Sequence, residues 1–184
     1  MRIIVGKLKG LTIEAPRGVL SRPPLAIIRE SVFNILADSV EGTRVLDLFA
    51  GSGSLGIEAL SRGAGKAHFV DSSKRSVEMI GRNVEKLGIS DACSVTRLGS
   101  LDFIRSWHGQ PFDLVFVDPP FLSGQIDDIL GHLPGSGVLS PGAVVVCRTH
   151  WRENPAIPEA LSEVKRRKFG ESVVRFLRRD EGTS

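Results

Sequence analysis

Apolar and polar positions divide the chain into a short irregular opening and a long run of alternating strands and helices. Leu11, Ile13 and Ala15 alternate with Thr12 and Glu14. Together with Arg2–Val5 and the glycines at 6 and 10, this predicts two short strands in a hairpin. Residues 16–23, with two prolines, a glycine and two arginines, predict a loop. Pro24 then opens a helix with Leu25, Ile28, Val32, Ile35 and Leu36 at three-and-four spacing. From Thr43 the pattern turns to strands at 43–48, 67–71, 93–98, 112–117 and 143–148, with helices at 54–62, 74–87, 100–107 and 123–133 between them. The strand at 112–117 is nearly all apolar, as a central strand covered on both faces should be. Segments 163–169 and 172–178 close the chain as an antiparallel hairpin around Gly170. The pattern predicts an α/β, Rossmann-like, mostly parallel doubly wound sheet with a C-terminal hairpin. Residues 1–40 are expected as a small hairpin-and-helix appendage and residues 41–184 as the main domain.

Composition narrows the setting. A chain of 184 residues, 41% hydrophobic and 24% charged, suffices for one well-buried globular domain. Cys93 and Cys147 are too few and too far apart for a disulfide framework or a zinc site, so no metal is expected. His68, His108, His132 and His150 are scattered without ligand spacing. No apolar run has the length of a signal-peptide core or a membrane span, and a cytoplasmic protein is expected, with no obligate protein partner evident. The net charge of +3 conceals a segregation. Residues 1–30 and 152–179 each carry +4, while residues 31–151 are mildly acidic. Basic ends suit a phosphate backbone gripped from the flanks, with a neutral or cationic ligand in the middle. A merely solvated basic surface is the alternative. Arg2, Lys7, Lys9, Arg17, Arg22 and Arg29 are the candidate RNA contacts.

The candidate chemistry begins at Asp47-Leu48-Phe49-Ala50-Gly51-Ser52-Gly53-Ser54-Leu55-Gly56, a strand end, a glycine turn and a helix start. Such a corner brings backbone N–H groups close to a ligand and allows φ > 0. Gly51, Gly53 and Gly56 also fit the dinucleotide fingerprint. Asp47 favours a different ligand, because a carboxylate there would repel a pyrophosphate and suits an ammonium and a sulfonium, as in S-adenosylmethionine. A strand-ending aspartate that caps the turn is the bland reading. Asp71 ends the next strand, where a carboxylate can accept both hydroxyls of a ribose; with Ser72 it is assigned to the cofactor. Its alternative role is the N-cap of the helix at 74–87.

Asp118-Pro119-Pro120-Phe121 follows the apolar strand at 112–117. The prolines fix the backbone so that a carboxylate and the Pro119 carbonyl stand at set spacing, matching the two hydrogens of an exocyclic amine. An aryl amine is a poor nucleophile, because its lone pair is delocalised into the ring. Holding both hydrogens steers the nitrogen towards tetrahedral geometry, and Phe121 offers a face for a base taken out of its stack. Trp107 and Trp151 could also stack on RNA, although a role covering the sheet fits them better.

These motifs resemble those of N-methyltransferases. Arg2-Ile3-Ile4-Val5-Gly6-Lys7-Leu8-Lys9-Gly10, the Arg22-Pro23 loop, Arg29-Glu30-Ser31-Val32-Phe33-Asn34-Ile35-Leu36 and Glu58-Ala59-Leu60-Ser61-Arg62-Gly63-Ala64 make the chain similar to the bacterial RsmD family, 16S ribosomal RNA (guanine-N2)-methyltransferases. The resemblance implies a Rossmann-like fold, S-adenosylmethionine as donor, and a guanine of the small ribosomal subunit as target. It implies Asp47, Phe49, Ala50, Gly51, Ser52, Gly53, Gly56, Asp71, Ser72, Ser100 and Leu101 as cofactor residues and Asp118, Pro119, Pro120 and Phe121 as catalytic ones. Two stretches depart from the family pattern. Pro24-Leu25-Ala26-Ile27 stands where a Thr-Thr-Asp-Arg-type run is usual, and Ser100, or the nearby Asp102, stands where Asp or Asn commonly meets adenine. An NAD-dependent oxidoreductase, an assembly factor without turnover and a DNA base amino-methyltransferase are the other classes considered.

Overall fold

The structure, a computed structural model, describes residues 1–16 and 23–180. Seven strands form one sheet in the order β3-β2-β1-β4-β5-β7-β6. They are β1 (Arg44–Leu48), β2 (Lys66–Asp71), β3 (Cys93–Arg97), β4 (Phe112–Val117), β5 (Leu139–His150), β6 (Leu161–Phe169) and β7 (Ser172–Arg179). The first five run parallel, and β7 pairs antiparallel to both β5 and β6. The helices are α1 (Pro23–Leu36), α2 (Ser54–Ser61), α3 (Lys74–Lys86), α4 (Ser100–Ser106) and α5 (Gln125–His132), with short 3-10 turns at Ala37–Val40 and Ser90–Ala92. This is a Rossmann-like, doubly wound architecture closed by an antiparallel hairpin.

Both faces of the central strands are covered, which explains why β4 is nearly all apolar, whereas the edge strand β3 is more than half polar. Val45, Phe69 and Phe116 pack beneath Phe33 of α1, Ile57 of α2 and Ile80 of α3. Leu46, Leu48, Val70, Val115 and Val117 point the other way, against Phe103 and Ile104 of α4 and Ile126, Ile129 and Leu130 of α5. Ile3 and Ile13 of the N-terminal segment belong to the first of these clusters.

The observed elements match the predicted ones closely, with two differences. Residues 1–15 pair more briefly than two full strands: Arg2 and Thr12 form one antiparallel bridge, flanked by Ile3 N–H to the Leu11 carbonyl at 2.9 Å and Ile13 N–H to the Met1 carbonyl at 2.8 Å. The N–H groups of Ile4, Val5, Lys7 and Leu8, which do not join this pairing, go to α2. Glu58 accepts from Ile4 N at 2.9 Å and Val5 N at 3.1 Å, and Ser61 accepts from Lys7 N and Leu8 N. The strand predicted at 143–148 extends over Leu139–His150, with a register shift opposite β4 near Phe112.

Candidate active site

Strand order reverses between β1 and β4, and this is where an open α/β sheet leaves a crevice at the carboxyl ends of its strands. Register sets what meets there. Leu48 lies beside Val70 on β2 and Val117 on β4, so the next residues, Phe49, Asp71 and Asp118, emerge level with one another. Val117 lies beside Cys147, which brings Arg148 level with Asp118.

The turn after β1 is built by backbone geometry. Gly51 and Gly53 have φ of 58° and 78°, and Phe49 reaches 61° despite its side chain. A bulky residue in the left-handed region is strained, a cost that structures concentrate at ligand sites. Gly56 serves another purpose: a Cβ there would overlap the Phe69 ring, so glycine lets α2 lie against β2. The N–H groups of this turn are already engaged. Gly51 N–H donates to Asp71 Oδ2 at 2.8 Å, Gly53 N–H to the Ala50 carbonyl at 2.7 Å, and Gly56 N–H to Asp47 Oδ2 at 3.0 Å. A pyrophosphate would need those donors, so the fingerprint spacing does not make a dinucleotide site here.

Three carboxylates dominate the electrostatics. Asp47 is 1% exposed, and burial pushes its carboxyl up to about 8; the Gly56 N–H opposes the shift, while Asp118 and Asp71 add to it. Asp71 is oriented through both oxygens, with Oδ1 accepting from Ser73 N–H at 2.8 Å. Ser73, not Asp71, caps α3 by accepting from Ser76 N–H. Asp118 is likewise raised by burial, and the Arg148 guanidinium pulls it back down through a 2.7 Å contact from Nε to Oδ1. Among the described residues, none donates to the other oxygen, Oδ2.

A cavity of about 720 Å³ opens on this corner. Phe49, Ala50, Gly51 and Ser52 line it from the turn, Asp118 and Arg148 from β4 and β5, and Ile27 and Ile28 from α1. Its size suits a nucleoside-sized ligand. Asp118 and Glu30 line it together with Arg2, Arg29 and Arg148, so its wall carries both signs of charge, with the strained turn beside the oriented Asp71 at one end.

A family model described as conserved hypothetical protein 95 matches residues 1–178. The chain belongs to that family, the RsmD family. It is 30% identical over 181 residues to ribosomal RNA small subunit methyltransferase D of Escherichia coli K12, covering 98% of this chain and 90% of that one. The putative rRNA methyltransferase YlbH of Bacillus subtilis is 33% identical over 169 residues, 89% of each chain. Among solved structures, a putative methyltransferase yhhF from Escherichia coli superposes with a TM-score of 0.88 at 30% identity, over 98% of both chains. SMU.776, a putative methyltransferase solved with SAH, shares the fold at a TM-score of 0.64 and 16% identity, over 83% of this chain and 48% of its own.

Within this family member the expected site residues divide into groups. The turn residues, Asp71 and Asp118 converge as described. Pro119 is buried and Pro120 exposed; Phe121 is 36% exposed, with the Arg148 guanidinium 4.7 Å from its ring centre. Ser72 is exposed and its carbonyl accepts from Arg97 Nε. Ser100 is buried in the first turn of α4, Leu101 packs with Phe49 against the second core cluster, and Asp102 is exposed. Arg2, Lys7 and Lys9 are exposed, as RNA contacts require, whereas Arg17 and Arg22 lie outside the described residues.

Arg29 departs from its expected exposure. It is 6% exposed and donates to the Arg2 carbonyl and to the Met1 sulfur, with Glu58 3.7 Å away, so its charge is spent holding the N-terminal segment. Trp107 stacks among His68, Phe103 and Phe112 as a cover for the sheet. Trp151 does not; it is 47% exposed. The residue that sequence reasoning missed is Arg148. A lone arginine ending an apolar strand beside the aspartate strand was its only signal.

Proposed function

We propose that this chain transfers a methyl group from S-adenosylmethionine to the exocyclic N2 amine of a guanine in 16S ribosomal RNA, in the small subunit or an assembly intermediate of it. The observation that carries the reading is the level placement of Asp118 and the glycine turn across the switch point, with Phe121 three residues on. The printed names of the relatives support the substrate class.

S-adenosylmethionine, when bound, supplies an electrophilic methyl group on a sulfonium centre. A cation bound against the turn lowers the raised pKa of Asp47, so its carboxylate forms where the ammonium and sulfonium lie, and Asp71 offers lone pairs to the ribose hydroxyls. Asp118 Oδ2 and the Pro119 carbonyl accept the two hydrogens of the guanine amine, which localises the nitrogen lone pair for attack. Phe121 stacks on the base, and Arg148 holds Asp118 ionised. Forming the new N–C bond would break the S–CH3 bond, with its electron pair going to sulfur and the neutral thioether released, and the surplus proton would leave the nitrogen for Asp118 or water.

The deciding experiment is methyl transfer from labelled S-adenosylmethionine to small subunits lacking the modification, with naked 16S rRNA alongside and nucleoside mass spectrometry of the product. N2-methylguanosine is expected. Asp118→Ala should lower the rate on the order of a hundredfold or more while cofactor affinity stays within a few-fold. Another methylated nucleoside, or no product despite cofactor binding, overturns the reading.

A further inference from the structure

Three aromatic rings run away from the Asp118 corner. Phe121 and His150 have centroids 5.5 Å apart, and His150 and Trp151 are 5.8 Å apart. Glu153 fastens the row in place: one oxygen accepts from Leu122 N–H at 3.1 Å and the other from His150 N–H at 2.7 Å. The loop carrying Phe121 is thereby tied to the end of β5, and Leu122 is held at φ 58° in doing so. Trp151 N–H donates to the Glu171 carbonyl at 2.8 Å, which fixes the outer end.

Cations stand over both ends of the row. Arg148 lies over Phe121, while Arg152 and Lys168 lie 5.1 and 5.4 Å from the Trp151 ring centre. Lys168 is the inner end of an exposed run on β6, Lys165-Arg166-Arg167-Lys168. An indole left half outside the core forgoes the burial that normally fixes a tryptophan. Aromatic faces alternating with mobile cations are what single-stranded nucleic acid recognises, since every base has a π-face and every step a phosphate.

Resting on the function proposed above, we propose that the exposed rings of Phe121 and Trp151, spaced by the buried His150 ring between them, form a stacking track for single-stranded RNA, with Trp151 the platform for a nucleotide flanking the methylated guanine. A base arriving on the Trp151 ring displaces Lys168 or Arg152 towards the adjoining phosphate. The target strand then leaves the catalytic corner over the end of β5 towards β6. This places part of the RNA grip on the C-terminal half of the chain as well as at Arg2, Lys7 and Lys9.

Initial rates on unmodified small subunits test the track. Trp151→Ala removes an exposed ring and leaves no core cavity. It should raise KM roughly tenfold or more, with kcat and cofactor affinity close to wild type. Trp151→Phe should recover most of the loss. Combined Arg152→Ala and Lys168→Ala should flatten the salt dependence of KM by about one unit per charge. Unchanged KM and salt slope in a series whose wild type methylates normally would overturn the track and leave the proposed function standing. If wild type makes no product, the proposed function falls. The track is then decided separately by Trp151 fluorescence in a Trp107→Phe background. Quenching by a single-stranded oligoribonucleotide of about ten nucleotides supports it, and no quenching overturns it.

Discussion

Arg148 decides how Asp118 behaves as an acid. Burial alone favours the neutral carboxyl, which accepts an amine hydrogen more weakly than a carboxylate and cannot take up the surplus proton. The guanidinium 2.7 Å away favours the charged form against that burial and leaves Oδ2 for the substrate. Removing that positive charge moves the Asp118 pKa further up, so the acid side of the rate profile moves to higher pH. For Arg148→Met, transfer at pH 6.5 should fall about tenfold or more and should approach wild type as pH rises. Arg148→Lys should lie between, because an ammonium keeps the charge without the planar fork. A rate–pH profile whose acid limb stays where it is in wild type would refute this coupling.

At the scale of elements, the N-terminal segment shows why some of the fold was legible and some was not. Strands β1, β4 and the inner part of β5 could be read locally, because burial on both faces makes each a mostly apolar run, and the glycine turn follows β1 directly. The docking of residues 1–15 could not, because the N–H groups of Ile4, Val5 and Leu8 go to Glu58 and Ser61, more than 50 positions away. The burial of Arg29 was hidden for the same reason: its partner Glu58 is distant in sequence and itself buried. Arg148 faces Asp118 through β4–β5 register, which no local pattern specifies. Glu58 is therefore the fastening of this element. It receives two backbone N–H groups and Arg62 Nε at 3.0 Å, with Arg29 nearby. Glu58→Ala strands the buried Arg29 charge and should cost about 3–5 kcal/mol. Thermal denaturation should show the loss, and hydrogen exchange should show faster opening of residues 1–16 than of β4. A midpoint within a degree of wild type would mean that the segment is held by its apolar contacts alone.

The whole molecule carries a conflict between stability and ligand binding, concentrated at Asp47. The doubly wound topology buries the end of β1 between β2 and β4, and a carboxylate placed there is desolvated. Its folded pKa, about 8, lies above the ordinary 3.8, so the folded state binds the extra proton. Stability from this group therefore falls as pH rises from about 4 and levels off above about 8. His68 works in the opposite direction: burial lowers it from 6.5 to about 4, so stability rises with pH across that interval and the two slopes oppose each other. The N-terminal ammonium, also lowered by burial, again opposes Asp47 near neutrality. The wild-type stability curve thus mixes signs, and Asp47→Asn isolates one of them while keeping an acceptor for Gly56 N–H. The stability advantage of the asparagine variant should widen steadily between pH 5 and 8 and then flatten. Its affinity for S-adenosylmethionine should drop, since the neutral amide no longer attracts the cation. Urea unfolding across that range, paired with calorimetric titration of the cofactor, measures both. A difference curve independent of pH would show that Asp47 is already ionised in the folded state. A more stable variant with undiminished affinity would remove Asp47 from the ligand site.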